Sequence, residues 1–126
     1  MATSLTLKNS SVSHPLVVFR ENLGPEGWTH RAAAASAGPL GEASVAVDVK
    51  QRALIETADP EDTCLTITNP NQHAALRVRV QERLKGDRFA EPVHADFVHP
   101  SRGGAHNSVN ITLNAKRRVI VEQMAV

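Results

Sequence analysis

Residues 75–85, ALRVRVQERLK, have types and spacing that point to a binding chemistry. In a β-strand, successive side chains point to opposite faces, so every second residue shares a face. One face of this strand would carry the polar positions, which are Arg77, Arg79, Gln81, Arg83 and Lys85. Same-face positions lie roughly 6.7 Å apart, and arginine binds phosphate through two parallel hydrogen bonds. The pattern predicts a strand face that binds a polyanion, with a solvated basic face as the alternative.

Neighbouring strands are expected to widen this face. Thr66 and Thr68 alternate with apolar residues, and Lys50 ends the alternating run SVAVDVK. Hydroxyl and ammonium groups beside the arginines would bind the phosphates and base edges of single-stranded RNA. The predicted RNA-binding set is Arg77, Arg79, Arg83, Lys85, Lys50, Thr66 and Thr68. Residues 116–118, KRR, form a second basic cluster that we interpret as a solvated turn.

No residue pattern indicates catalysis, a metal site or a cofactor. The six histidines are His14, His30, His73, His94, His99 and His106. Metal ligands on one strand need even spacing, whereas His94 and His99 are five residues apart and would face opposite sides. Cys64 is the single cysteine, so a disulfide within the chain and a cysteine-rich zinc site are excluded. We therefore predict a protein that is not an enzyme and needs no cofactor.

Charge is unevenly distributed along the chain. Through residue 63 there are five basic and eight acidic side chains, and the remainder has nine basic and five acidic ones. Such asymmetry between halves is typical of proteins that bind polyanions.

Aromatic residues make up only 3% of the chain, and tyrosine is absent. Because each aromatic ring buries a large apolar area, this shortage predicts that part of the apolar surface is covered by another copy of the chain. The N-terminal residues lack a basic leader with a long apolar run, and no apolar stretch approaches the ~20 residues that cross a bilayer. No membrane partner is expected.

Short β-type runs separated by turn residues predict an antiparallel fold that is mainly β, and α+β if the C-terminal segment is helical. Residues 1–22 are expected to form an N-terminal β-hairpin, and residues 27–100 an antiparallel sheet of about five strands. Residues 51–62, QRALIETADPED, are interpreted as a connection. Residues 101–126 are expected to be a C-terminal dimerisation segment. Alternation at Val109, Ile111 and Leu113 favours strand, whereas helical spacing in the same residues favours helix. An all-β sandwich is the alternative fold. No internal repeat is evident, which predicts one domain over residues 1–126.

The order of these elements resembles the coat proteins of single-stranded RNA bacteriophages. AGPLGEASVAVDVKQ is similar to a Pro/Gly turn that enters a long strand with a basic end in that family. LRVRVQERL followed by VHADFVHPS resembles its last two sheet strands and the entry to its C-terminal helices. The resemblance implies a homodimer with one continuous sheet, helices on the outer face and genomic RNA on the inner face. It also implies that dimers tile an icosahedral shell.

From the residues and the resemblance we predict a viral coat protein that dimerises, self-assembles and packages single-stranded RNA. It would be assembled in the host cytoplasm and located in the virion. Leu113 and Ile120 are expected in the core of the dimer. The alternative is a cellular β-sandwich binding module that does not bind nucleic acid.

Overall fold

A computed structural model of the chain describes residues 3–71, 74–86, 88–99 and 107–124, apart from the side chain of His30. Within these ranges there is no helix, and ten strands form two antiparallel sheets. The strands are β1 (Thr3–Asn9), β2 (Leu16–Gly24), β3 (Gly27–Ala37), β4 (Glu42–Val47), β5 (Gln51–Thr57), β6 (Thr63–Asn69), β7 (Leu76–Glu82), β8 (Val93–Val98), β9 (Asn107–Leu113) and β10 (Arg117–Gln123). The four-stranded sheet has the order β4-β1-β6-β9, and the six-stranded sheet has the order β3-β2-β5-β10-β7-β8.

One hydrophobic core lies between the two sheets. Alternate residues of each strand point inward, such as Leu5 and Leu7 of β1 in one sheet and Val18 of β2 in the other. These three side chains are completely buried, and burying one such side chain stabilises the fold by about 1.5–3 kcal/mol. The architecture is a β-sandwich, because a single cluster of buried residues joins both sheets.

The strand orders reveal an internal repeat. If β1 to β5 are exchanged in turn with β6 to β10, both strand orders stay the same. Strands β1 to β5 and strands β6 to β10 therefore have the same topology, and a pseudo-two-fold axis relates these two halves. Each half supplies two strands to one sheet and three strands to the other. Neither half closes a core alone, since the central cluster contains residues of both.

The expectation that the chain contains no repeat is therefore wrong. Two pairs of segments carry its trace in the sequence: TSLTLKN of β1 resembles TCLTITN of β6, and KQRALIE at residues 50–56 resembles KRRVIVE at residues 116–122. The trace is weak elsewhere because the third strand of each half differs in length, with 11 residues in β3 and 6 in β8.

A buried asparagine ends the first strand of each half and holds the crossing to the other sheet. The Asn9 Nδ2 donates to the carbonyl oxygens of His14, Ala37 and Gly38 at 2.9–3.2 Å. The Asn69 Nδ2 donates to the carbonyl oxygens of Ala74, Val98 and His99 at 2.7–3.4 Å. Each Oδ1 accepts a hydrogen bond from the backbone N–H two residues later. The two amides satisfy backbone groups that would otherwise be buried without partners.

The pseudo-two-fold axis passes through two pairs of apolar residues. In the four-stranded sheet Leu7 lies opposite Ile67, and in the six-stranded sheet Leu54 lies opposite Ile120. All four side chains have no exposed surface. The contact between the halves is therefore a continuous strand pairing through both sheets, not a docking of two separate units.

The α+β prediction is wrong, because the described part of the C-terminal segment consists of strands β9 and β10. Residues 101–106, where a helix was expected to start, lie outside the described residues. The N-terminal hairpin is also wrong, since β1 pairs with β4 and β6 while β2 pairs with β3 and β5. The asparagine-held crossing after β1 sends the chain to the other sheet. No helix in the described ranges could cross a membrane.

Two further expectations are wrong, because the residues concerned belong to the central strands and the core of a single chain. Residues 51–57, interpreted as part of a connection, form β5 at the centre of the six-stranded sheet. Leu113 and Ile120, expected in a dimer core, are completely buried within one chain. Their side chains are consequently not available to a second copy.

We expect Asn69→Ala to lower the free energy of unfolding by about 2–4 kcal/mol, because three carbonyl oxygens would lose their donor. The repeat predicts a loss of similar size for Asn9→Ala. Equilibrium urea denaturation measures both values, with Asn110→Ala on the exposed side of β9 as the control. A loss below about 1 kcal/mol in both variants would contradict the role of these amides.

Candidate anion-binding face

An apolar pair lies on the outer face of the six-stranded sheet. Ala53 and Ile55 of β5 point into the core, so Leu54 between them points outward. Ile120 of β10 does the same, and both side chains are nevertheless fully buried. Long side chains from the same face must therefore cover them.

This covering layer is rich in arginine, and we call it the arginine face. Its charged members are Arg31, Arg52, Arg77, Arg79, Arg83, Arg118, Glu21, Glu56 and Glu122. They come from five neighbouring strands, which are β3, β2, β5, β10 and β7. Arg83 directly follows β7. The six guanidinium groups exceed the three carboxylates, so these nine side chains carry a net positive charge.

Two glutamates on the central strands each hold two arginines. Glu122 forms ion pairs with Arg79 and, at 3.4 Å, with Arg77. Glu56 forms ion pairs with Arg31 and, at 3.3 Å, with Arg83. Ion pairs that remain partly exposed contribute little to stability. Their main effect is to fix the guanidinium groups in place and to neutralise part of their charge.

Each half contributes an arginine that donates to a side-chain acceptor and lies over an aromatic ring; we call these the arginine–ring units. In the first unit the Arg52 Nε donates to Glu21 Oε1 at 2.8 Å, and its guanidinium lies 4.5 Å from the centre of the Trp28 ring. In the second unit the Arg118 Nε donates to Gln81 Oε1 at 2.7 Å, and its guanidinium lies 3.7 Å from the centre of the Phe89 ring. Strands β2 and β5, which carry Glu21 and Arg52, correspond in the internal repeat to β7 and β10, which carry Gln81 and Arg118. Trp28 lies on β3, whereas Phe89 lies in the segment between β7 and β8.

The two units differ in charge. Glu21 is a carboxylate and forms an ion pair with Arg52. Gln81 is neutral. Within the part of the chain that the structure describes, the bond to Gln81 is the only hydrogen bond of the Arg118 guanidinium, and no carboxylate forms an ion pair with it.

Several charged side chains surround Arg118. Burial lowers the pKa of its guanidinium below the ordinary value, and Arg52 and Arg31 act in the same direction. Glu56 and Glu21 oppose this change. Arginine stays charged in proteins, so the lowered pKa marks a cation that has lost part of its hydration without gaining a direct anionic partner.

The predicted RNA-binding residues do not lie on one surface. Arg77, Arg79 and Arg83 belong to the arginine face. Lys85 is exposed in the turn after β7, and Lys50 is exposed in the turn between β4 and β5, where its φ of 65° is left-handed. Thr66 and Thr68 lie on the outer side of the four-stranded sheet, because β6 is in that sheet. The sandwich therefore separates the threonines from the arginines.

The central members of the face were not predicted from the sequence. Arg52 and Glu56 were assigned to a connection, and Arg118 to a solvated turn. The alternation of Arg52, Leu54 and Glu56 is itself a strand signal, and its repetition at residues 118–122 would have strengthened it. The polar positions of the basic strand itself include no negative charge, but strand order brings Glu56 and Glu122 of other strands to the same face.

Serine and histidine residues after β1 form a cluster with Asp59, which follows β5, and the geometry of this cluster does not support nucleophilic catalysis. The His14 Nδ1 is 2.8 Å from Ser13 Oγ and 3.7 Å from Asp59 Oδ2. In a Ser–His–Asp triad the serine and the aspartate contact different ring nitrogens. Ser11 Oγ donates to Asp59 Oδ2 at 2.7 Å and is buried, so the cluster holds the crossing loop.

The described residues include no group of three histidine, cysteine or acidic side chains that could hold a metal ion. His73, His106 and the side chain of His30 lie outside the description. No family model matches this chain, and neither a curated protein nor a solved structure matches it.

The Asp59 carboxylate predicts a dependence of stability on pH. The Ser11 hydroxyl and the Glu61 N–H hold the pKa of Asp59 below its ordinary value, with a smaller contribution from His14, and burial opposes them. Its interactions therefore stabilise the fold above the unfolded pKa, about 3.9, and this contribution is lost as the pH falls through the lower folded value.

We expect Asp59→Asn to be less stable than the wild type at neutral pH and the difference to shrink as the pH falls below about 4. Urea denaturation at a series of pH values measures it. Exposed Asp62, changed to Asn, serves as the control. A difference that stays constant down to acidic pH would show that the Asp59 charge does not contribute.

Proposed function

We propose that this protein is a structural subunit that assembles with copies of itself and holds single-stranded RNA on the arginine face, as a viral coat protein does. The observation that carries the proposal is the excess of guanidinium groups over carboxylates on one sheet face, with aromatic rings beneath several of them. Phosphate binding by basic side chains supplies most of the affinity of proteins for nucleic acid.

The arrangement of the rings suits a single strand. Arg31 lies 4.0 Å from the centre of the Phe19 ring, and Arg83 lies 4.9 Å from that of Phe89. A guanidinium that stacks on a ring with one face still exposes its other face, on which an unpaired base can stack. Proteins that bind single strands combine such stacking surfaces with positive charge along the backbone.

The edges of the six-stranded sheet support self-assembly. Among the described residues, β3 and β8 each pair on one side only. β8 exposes Val93 and Phe97, and the exposed part of β3 includes consecutive alanines. An edge with small or apolar side chains is a template for pairing with another chain. A second copy can add its own edge strand there.

A β-sandwich binding module without nucleic acid is the second candidate. It is favoured by the three glutamates, which neutralise half of the arginine charge and would repel a phosphate backbone. A failure of the protein to bind RNA at low salt would support this second candidate.

We expect RNA affinity to fall steeply with salt. About three uncompensated charges on the face imply a slope of roughly −2 in a plot of log affinity against log salt. Arg77→Gln should reduce the slope by about 0.7, since one contact is lost while Arg79 remains paired with Glu122. Fluorescence anisotropy of a labelled oligouridine over a series of NaCl concentrations measures both.

Lys8→Gln is the matched control for this experiment. Lys8 is exposed on β1 in the four-stranded sheet, so the variant loses the same charge from the opposite side of the molecule. Equal slopes for Arg77→Gln and Lys8→Gln would indicate binding to net charge alone. The absence of binding at low salt would refute the nucleic-acid function.

We expect the purified protein to sediment as species larger than one chain. Phe97→Lys should shift the distribution towards the monomer, because lysine on an edge strand blocks pairing between sheets. Val12→Lys, at an exposed loop position, is the control for added charge. Sedimentation velocity at several concentrations measures the distribution, and a wild-type monomer at all of them would exclude a shell-forming protein.

A further inference from the structure

We propose that the second arginine–ring unit, formed by Arg118, Gln81 and Phe89, binds a phosphate group, whereas the first unit does not because the Glu21 carboxylate takes the place of that anion. This inference deepens the proposed function, on which it rests for the source of the phosphate, by naming the residues that contact the RNA backbone.

The internal repeat provides the comparison that supports it. Arg52 and Arg118 occupy the same position in β5 and β10, and both donate through Nε to a side-chain oxygen on the adjacent strand of the same half. Both lie over a ring. The main chemical difference is the acceptor, a carboxylate in one unit and an amide in the other. The two arginine–ring units thus share their geometry but differ in the charge of the acceptor.

The terminal nitrogens of the Arg118 guanidinium are suited to binding an oxyanion. Its Nε is engaged by Gln81, which fixes the plane of the guanidinium, and stacking on Phe89 orients it further. The terminal nitrogens can then donate to two oxygens of one phosphate. Because the group is partly desolvated and has no carboxylate partner among the described residues, an arriving anion displaces little water and no competing ion pair.

Neighbouring charges strengthen the site. Arg83 shares the Phe89 ring with Arg118, and Arg31 and Arg52 contribute positive potential at Arg118. Glu56 and Glu21 contribute the opposite sign. Three neighbouring arginines and two glutamates therefore leave a net positive charge around the Arg118 guanidinium.

Reciprocal substitutions test the assignment. Gln81→Glu copies the first unit into the second and should weaken phosphate binding at Arg118 at least about tenfold. Glu21→Gln copies the second unit into the first and should add a saturable phosphate site at Arg52. Both variants keep an acceptor for Nε, and urea denaturation confirms that they remain folded.

The measurement is the shift of the arginine Nε–H signals in ¹H–¹⁵N spectra during titration with inorganic phosphate at constant ionic strength. In the wild type the Arg118 signal should shift and saturate while the Arg52 signal stays. No saturable shift at Arg118, or an unchanged one in Gln81→Glu, would overturn the proposal. Failure of Glu21→Gln to gain a site would overturn the charge explanation. Tighter binding of acetate than of phosphate would overturn the phosphate assignment.

A parallel titration with oligouridine separates this inference from the proposed function. Phosphate binding at Arg118 without RNA binding would support the site and refute the RNA function. RNA binding with the expected salt slope but without a phosphate shift at Arg118 would retain the function and refute the site.

Discussion

Strands β5 and β10 pair at the centre of the six-stranded sheet, and the rest of the structure depends on this pairing. It places Leu54 opposite Ile120 and joins the two halves of the repeat. Each half has too few strands to enclose a core, so the inner faces become buried only when the halves combine. The hydrophobic effect therefore favours the joined state over two separate five-stranded units.

The same pairing explains why a charged layer covers the outer side of the sheet. Leu54 and Ile120 point away from the core, and burial of each stabilises the fold by about 1.5–3 kcal/mol. Arginine covers apolar surface with its methylene groups while its guanidinium remains near water. Glu56 and Glu122, two positions beyond these apolar residues, fix the arginines in place. The arginine face is consequently part of the fold as well as a candidate binding surface.

The halves share topology but have diverged in charge. The acidic residues predominate before residue 63 and the basic residues after it. Strand order brings charges of both halves to one face, so a single surface contains a neutralised arginine–ring unit and an open one. The fold differs from the helix-containing dimer that the coat-protein resemblance implied. The proposed coat function consequently depends on the arginine face and the sheet edges, without support from fold similarity.

The sequence by itself determined the β character of most segments and the side of each strand that is apolar, because these follow from alternation within a few residues. It identified Arg77 and Arg79 as outward-facing for the same reason. It did not determine which strands are neighbours, since pairing depends on contacts between residues far apart in the chain. The two-sheet division, the partners Glu56 and Glu122, and the position of Arg118 were therefore decided only by the tertiary structure. The repeat was present in the sequence, but only the strand order made it evident, because side chains diverge more freely than the backbone arrangement that buries them.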